Sequence, residues 1–366
     1  MAATVLEIDL AALTHNFNYL KAKVKPGVQL LAVAKAFGYG SDAVAVAGKL
    51  ESLGVDYFAV AYAEEGVALR DGGITTPILV LHPQMGSFEA MIDHFLEPNL
   101  YSYRVIDAFI ASAKAKQQQN YPVHIKFNTG LNRLGFKPGN EDQLLKILKA
   151  TKAIQLKSLF SHLVASEDLN EKEFTLNQIS TFKNCAKKMI DGLSYTPILH
   201  QSNTSGILNF PEAQFDMVRT GIGLYGYGND PKEDTHLQPV ATLKSVISQI
   251  HEIQVGESVG YNRAHIAKKP ERSATIPLGH ADGISREYGN GKGYVTIKGK
   301  KAPILGNVCM DMVMVNVTEI DCEEGDEVII FGKGAPLPEL AKKVGSISYE
   351  LLTAISQRVK RKIINS

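Results

Sequence analysis

Lys35 stands at the end of an apolar run, Leu30–Leu31–Ala32–Val33–Ala34, and Tyr39 follows between Gly38 and Gly40. An ammonium at the edge of a core either snorkels to water along its own methylenes or sits in a low-dielectric site where its amine does chemistry. The lysine alone does not separate these readings; its company does. Later apolar runs end in His82, in Lys126 and Asn128, in His162, in Asn203 and in Arg219. Each of these taken singly is an ordinary solvated or locally satisfied group. Their recurrence at one position of a repeating pattern marks a site.

A lysine so placed can bind phosphate, act as a base or form a Schiff base with an aldehyde. For the last role the cofactor to test is pyridoxal 5′-phosphate, which needs partners of three kinds. Its phosphate wants backbone N–H groups and hydroxyls, and the Gly-rich turns "SNTSG" (202–206) and "RTGIG" (219–223) offer them. Its pyridine nitrogen wants a polar or charged partner, and Arg219 opens the second turn. Its phenolic oxygen wants a donor, and Arg133 lies in "KFNTGLNRLGF".

These residues must be carried by something rigid. Apolar runs at 29–35, 57–61, 77–82, 97–101, 122–128, 156–163, 197–203 and 215–221 read as strands. Between them lie segments of helical period, among them 42–53, 105–118 and 170–190. Eight strands with intervening helices predict an α/β fold with a closed parallel TIM-type (β/α)8 barrel over residues 1–230, whose reactive groups sit at the C-terminal strand ends. An open doubly wound sheet shares the pattern, but no GxGxxG follows the first strand. From 231 to 366 short Val/Ile/Thr-rich runs divided by glycines predict a mainly antiparallel β domain, closed by a helix over about 346–360.

Bulk properties narrow the class. The chain has 366 residues, 45% of them apolar, with a formal net charge of +1 and no long basic block, which argues against nucleic acid or an anionic membrane as partner. No apolar run reaches the roughly 20 residues that span a bilayer, and the N-terminal stretch lacks a signal-peptide pattern. Cys185, Cys309 and Cys322 are scattered without CxxC spacing, so the expected compartment is the reducing cytoplasm and no metal is expected.

The segments "AVAKAFGYG", "KFNTGLNRLGF", "SHLVASED", "NTSG", "MVRTGIGLYG", "VGYNRA", "ADGISR", "GNVCMDMVMV" and "SYELLTAISQRVKR" resemble, in this order, those of bacterial alanine racemases. The resemblance covers essentially the whole chain. It implies interconversion of L- and D-alanine, supplying D-alanine for peptidoglycan, by a cytoplasmic homodimer whose sites are shared between subunits. It implies that Lys35 carries pyridoxal phosphate and serves as one acid/base, with Tyr261 of the β domain as the second. His162 and Arg219 match the supporting network, and Arg133 matches the arginine that reaches the cofactor's phenolic oxygen and the substrate carboxylate.

By the same resemblance Tyr39, Thr204, Gly221, Ile222 and Tyr349 hold the phosphate and Asn203 adjoins them. Met310 offers its backbone N–H to the substrate, and His280 and Asp311 border the substrate entrance. Lys126 matches a lysine carbamylated in many members. The chain departs from the family pattern at Asn128 and Asn132, at His280, where tyrosine is usual, and at Thr204, where serine is. A phenol with an ordinary pKa near 10 must be tuned before it can act as a base. An arginine at the pyridine nitrogen disfavours protonating it, which favours racemisation over transamination or decarboxylation. The readings left beside alanine racemase are a racemase of another amino acid such as serine or lysine, a related decarboxylase, and a non-catalytic cofactor-binding protein.

Overall fold

The computed structural model describes residues 3–364. The chain divides into two compact units, one of residues 14–38 and 43–237, the other of residues 1–13, 39–42 and 238–366.

The first unit is a closed barrel of eight parallel strands: β2 (Gln29–Val33), β3 (Tyr57–Val60), β4 (Ile78–Val80), β5 (Leu96–Leu100), β6 (Tyr121–Lys126), β7 (Ile154–Phe160), β8 (Ile198–His200) and β9 (Met217–Thr220). Most of these runs are apolar almost throughout, as strands buried on both faces must be. The register Leu31↔Arg219 and Ala32↔Thr220 closes β9 onto β2. Leu31, Tyr57, Ala59, Leu79 and Met217 form one apolar cluster of the unit's core. The helices face the barrel with a single stripe. In Tyr103–Ala115 the buried residues are Val105, Ile106, Phe109 and Ala113, and the Ser102 hydroxyl caps the helix by accepting from Val105 N at 3.3 Å. All eight predicted strands are present, within one to three residues at most ends.

The second unit is a nine-stranded sheet with the order β11-β14-β17-β16-β15-β18-β10-β1-β19, plus a small hairpin. Its strands are β1 (Val5–Asp9), β10 (Ala241–Val246), β11 (Gln249–Ile253), β14 (Glu271–Ile276), β15 (Tyr294–Ile297), β16 (Lys300–Leu305), β17 (Val313–Asn316), β18 (Glu327–Phe331) and β19 (Lys360–Ile364); the hairpin is β12 (Ser258–Val259) with β13 (His265–Ile266). All pairings are antiparallel except β1 with β19.

Two expectations are corrected here. Residues 5–9, grouped with the barrel above, pair instead with β10 and β19. The closing helix is shorter than expected, Ser348–Ala354, and the chain returns as strand β19. The run Lys360–Arg361–Lys362 looks helical by composition, but pairing with β1 and the Arg361 side chain decide otherwise. That guanidinium donates to the carbonyls of Gly40 (2.8 Å), Ile355 (2.8 Å) and Val359 (2.7 Å). No helix among the described residues is long and apolar enough to cross a membrane.

Candidate active site

Lys35 follows β2 directly and opens a turn that no local sequence rule foretells. Five consecutive residues, Ala36 to Gly40, have positive φ (52°, 55°, 64°, 54° and 79°). Such angles are disfavoured for residues with a Cβ, at about 1 kcal/mol or more each, so tertiary contacts must hold the turn. The Glu65 carboxylate accepts from Ala36 N at 2.6 Å, and it also accepts from Ala61 N and Tyr62 N. Gly40 is obligatory: a Cβ there would lie 2.0 Å from the Leu352 carbonyl oxygen.

Around Lys35 the barrel gathers basic groups. Burial lowers the Lys35 amine below its ordinary pKa, Arg133 adds to this, and Glu65 opposes it. Lys126 ends β6, only 7% exposed, and its amine is pushed down to about 7 by burial and then by Arg133, Arg219 and Lys35. Burial together with the same cations (Arg219, Lys126, Arg133 and Lys35) holds His162 well below its ordinary value, so its imidazole is neutral. Lys126 makes no ion pair among the described residues, and the Glu65 carboxylate is committed to three backbone N–H groups. A buried cluster of like charge is costly unless an anion joins it.

Arg219 is the most enclosed of these groups. Its Nη2 donates to the carbonyls of Ser161 (2.7 Å) and Gln201 (2.9 Å) and lies 3.2 Å from His162 Nδ1. Its Nη1 donates to His200 Nδ1 at 2.7 Å. Burial pulls the guanidinium down to about 9, which leaves it cationic at neutral pH. Phe160 stacks on His200 with ring centroids 4.8 Å apart, and both Arg219 Cζ (5.4 Å) and Lys126 Nζ (5.9 Å) sit over the same ring.

The turn after β9 suits a phosphate. The Thr204 hydroxyl lies 3.1 Å from that of Thr220 and accepts from Gly221 N at 3.3 Å. The backbone N–H groups of Ile222 and Gly223, in a buried turn, have no acceptor among the described residues. Unanswered buried donors call for an anion, and with the cationic cluster and the Lys35 amine they fit a phosphorylated aldehyde such as pyridoxal phosphate. Asn203 shapes the turn that precedes Thr204. Its Oδ1 caps Gly206 N at 2.8 Å and accepts from the Ser166 hydroxyl at 2.7 Å.

Of the other sequence-selected barrel residues, His82 stands with Tyr62 and Tyr101, each ring centroid 5.7 Å away, outside the cationic group. Asn128 and Asn132 fold their own loop: Asn128 Oδ1 accepts from Gly130 N and Asn132 N, and its amide donates to Asn132 Oδ1 at 2.9 Å. His200, on β8, was missed, because one histidine in "PILHQSN" looks like a satisfied core residue until Arg219 is seen to need an acceptor.

In the sheet unit, Tyr39 and Tyr349 lie with ring centroids 6.0 Å apart, and burial pushes the Tyr39 phenol up. Tyr261 sits in the turn between β12 and β13 with 73% of its surface exposed. Beside it runs the loop 309–312, whose Cys309 and Met310 carbonyls accept from His280 N (2.9 Å) and Ala281 N (3.0 Å). Met310 N–H has no acceptor among the described residues, and Met310 and Met312 are 58% and 48% exposed. Burial raises the Cys309 thiol, so it is no thiolate nucleophile. Asp311 pairs with Arg358 at 2.7 Å.

Similarity to known proteins extends over nearly the whole chain. Residues 8–229 match the family model "Alanine racemase, N-terminal domain" and residues 240–363 match "Alanine racemase, C-terminal domain". The chain is 36% identical to an alanine racemase of Halothermothrix orenii, covering 99% of this chain and 97% of that one. It is 35% identical to one of Thermodesulfovibrio yellowstonii, over 98% and 97%. Among solved structures, the alanine racemase of Clostridium difficile 630 superposes with a TM-score of 0.93 at 34% identity, covering 100% of this chain and 96% of that one. The Bartonella henselae alanine racemase, solved with covalently bound pyridoxal phosphate, gives 0.90 at 29% identity, covering both chains fully. The chain belongs to the alanine racemase family.

Proposed function

We propose that the protein racemises alanine with pyridoxal phosphate, acting as a homodimer in the cytoplasm and supplying D-alanine for peptidoglycan. The observation that carries this reading is the basic group around Lys35, with Lys126 and Arg219 buried and Arg133 and His162 beside them, in which none of the five pairs with a carboxylate among the described residues. Lys35 would hold the cofactor covalently. Thr204, the turn Gly221–Ile222 and the pair Tyr39 and Tyr349 would take its phosphate, Arg219 its ring nitrogen, and Arg133 its phenolic oxygen together with the substrate carboxylate. Pyridoxal phosphate, when bound, supplies an electron sink that acidifies the Cα–H of an attached amino acid.

The protein's part is to hold protons on opposite faces of that carbon. Lys35 Nζ, its pKa already depressed, serves one face. Tyr261 Oη serves the other, and its exposure in the protomer suits a residue directed at a partner subunit. The free N–H of Met310 orients the substrate carboxylate. His162, held neutral beside Arg219, resists protonation and offers a hydrogen-bond acceptor rather than a second positive charge. A cationic partner keeps the ring nitrogen unprotonated, which limits the sink and favours racemisation over transamination.

The test is incubation with each L-amino acid in deuterated water, following loss of the Cα proton and change of optical sign. Exchange and inversion of alanine are expected. Exchange of serine or lysine without alanine would overturn the substrate, and inversion without Lys35, in the Lys35→Ala protein, would overturn the mechanism.

A further inference from the structure

Interiors of eight-stranded barrels are ordinarily filled by branched apolar side chains. Here five consecutive strands each contribute a buried polar group: Glu97 on β5, His124 on β6, Ser158 on β7, His200 on β8 and Arg219 on β9. Each touches the next. Arg219 Nη1 to His200 Nδ1 is 2.7 Å, His200 Nε2 to Ser158 Oγ is 2.9 Å, Ser158 Oγ to His124 Nδ1 is 2.6 Å, and His124 Nε2 to Glu97 Oε2 is 2.6 Å. The Tyr57 hydroxyl donates to the same Glu97 oxygen at 3.1 Å. His124, Ser158 and His200 are fully buried, so an unmade bond anywhere along the chain would be expensive.

The direction of every bond follows from one end. A guanidinium can only donate, so His200 Nδ1 must be bare and the proton of that ring must sit on Nε2. That N–H donates to Ser158 Oγ, whose own proton then goes to His124 Nδ1. His124 is thereby left with its proton on Nε2, where the Glu97 carboxylate accepts it. Reversing the chain would place two donors face to face between Arg219 and His200. Each link therefore carries one proton, and the chain is polarised from cation to anion.

We propose that Glu97, His124 and Ser158 are positioning residues for Arg219, fixing His200 in the one tautomer that accepts from the guanidinium and bringing a remote carboxylate to bear on the cationic mouth. The kinetic consequence rests on the function proposed above; the hydrogen-bond chain is a property of the protein without cofactor.

A double-mutant cycle tests it, using Glu97→Gln, Ser158→Ala and both together. Glu97→Gln keeps an acceptor for His124 and removes the charge. The first readout is the ring ¹⁵N spectrum of His124 and His200 in the cofactor-free protein. In the unmutated protein His200 should show an unprotonated Nδ1 and a protonated Nε2. Glu97→Gln should shift the nitrogens of both rings, and in the Ser158→Ala background it should shift only those of His124. The second readout is kinetic: each single change should lower kcat for alanine about tenfold with KM little altered, and the double variant should fall no further than the worse single one. A protonated His200 Nδ1 in the unmutated protein, which needs no variant to observe, would overturn the proposal. So would a Glu97→Gln effect on His200 that is absent or that survives Ser158→Ala, and so would additive kinetic losses. A protein that shows the expected nitrogens but racemises nothing would refute the proposed function and leave the chain standing.

Discussion

Arg358 clasps Asp282 with two hydrogen bonds, Nε to Oδ1 at 2.7 Å and Nη2 to Oδ2 at 3.0 Å, and the same Nη2 reaches Asp311 Oδ1 at 2.7 Å. One planar donor thus ties the turn His280–Asp282 to the loop that carries Met310. A lysine presents a single point of charge and cannot span both carboxylates. Arg358→Lys should therefore speed amide hydrogen exchange at His280 and Ala281, whose N–H groups donate to that loop. It should raise KM about threefold with a smaller effect on kcat. Because Arg358 itself is half exposed and lysine keeps a cation beside the buried Asp282, Tm should change little. Unchanged exchange at these two amides would show that the backbone bonds suffice.

Gly40 is where a single methyl should cost most. Gly40→Ala must keep φ at +79° and bring a Cβ to 2.0 Å from the Leu352 carbonyl oxygen, whereas Gly256→Ala, in the same unit at φ +87°, meets nothing within 4 Å. The second change should cost about 1 kcal/mol and the first at least about 2 kcal/mol more. Thermal unfolding of the two variants side by side measures the difference; equal losses would mean that the turn relaxes freely.

Lys126 should give the cofactor-free protein a pH-dependent stability. Its amine titrates near 7 in the folded chain against an ordinary value of 10.5. Between those values the unfolded chain binds the extra proton, so stability rises with pH across that window and the penalty is complete below it. Lys126→Met should remove this slope, stabilising the protein below pH 7 by about 5 kcal/mol and leaving it unchanged above pH 10.5. Denaturant titrations at a series of pH values, compared between the two proteins, show whether the slope is there.

The same depressed value leaves much of the Lys126 amine neutral at pH 7.5, the form that adds carbon dioxide. Incubation with ¹³C-bicarbonate should produce a carbamate carbon signal that is missing from Lys126→Met. Its absence from the unmutated protein would mean that Asn128 and Asn132, folded onto each other, leave this lysine unmodified.

If sites are shared between subunits, two crippled proteins should repair each other. Lys35→Ala and Tyr261→Phe homodimers should each lose about a hundredfold or more in activity. Exchange of subunits then leaves one intact site in each mixed dimer, so an equal mixture should regain about a quarter of the unmutated activity. No recovery, with mixed dimers confirmed by native mass, would place both residues of a site in one subunit.

What could be read from the sequence was what local pattern controls. The barrel strands are continuous apolar runs, and Lys35 and Arg219 stand where such runs end. What escaped was controlled from afar. The positive-φ turn Ala36–Gly40 includes Ala, Phe and Tyr, and its shape is set by Glu65, Arg361 and the Leu352 carbonyl. β19 reads as the tail of a helix until β1 is there to pair with it. The bonds of Asn203 Oδ1 to Gly206 N and the Ser166 hydroxyl join two loops that are distant in sequence. His124, Ser158 and His200 are unremarkable one strand at a time, and only the barrel's closure puts them in line.

The parallel pairing of β1 with β19 bears on how the protein is made. β1 leaves the ribosome first, yet its partners begin at Ala241 and Lys360. At roughly 5–20 residues per second the strand waits ten seconds or more for β10 and longer for β19. The barrel is complete by residue 237 and can close meanwhile. During that interval β1 is an unpaired apolar edge of the kind that recruits strands from other chains, so a nascent-chain chaperone, or a change in the rate at which residues 241–364 are translated, should matter more to its yield than its final stability would suggest.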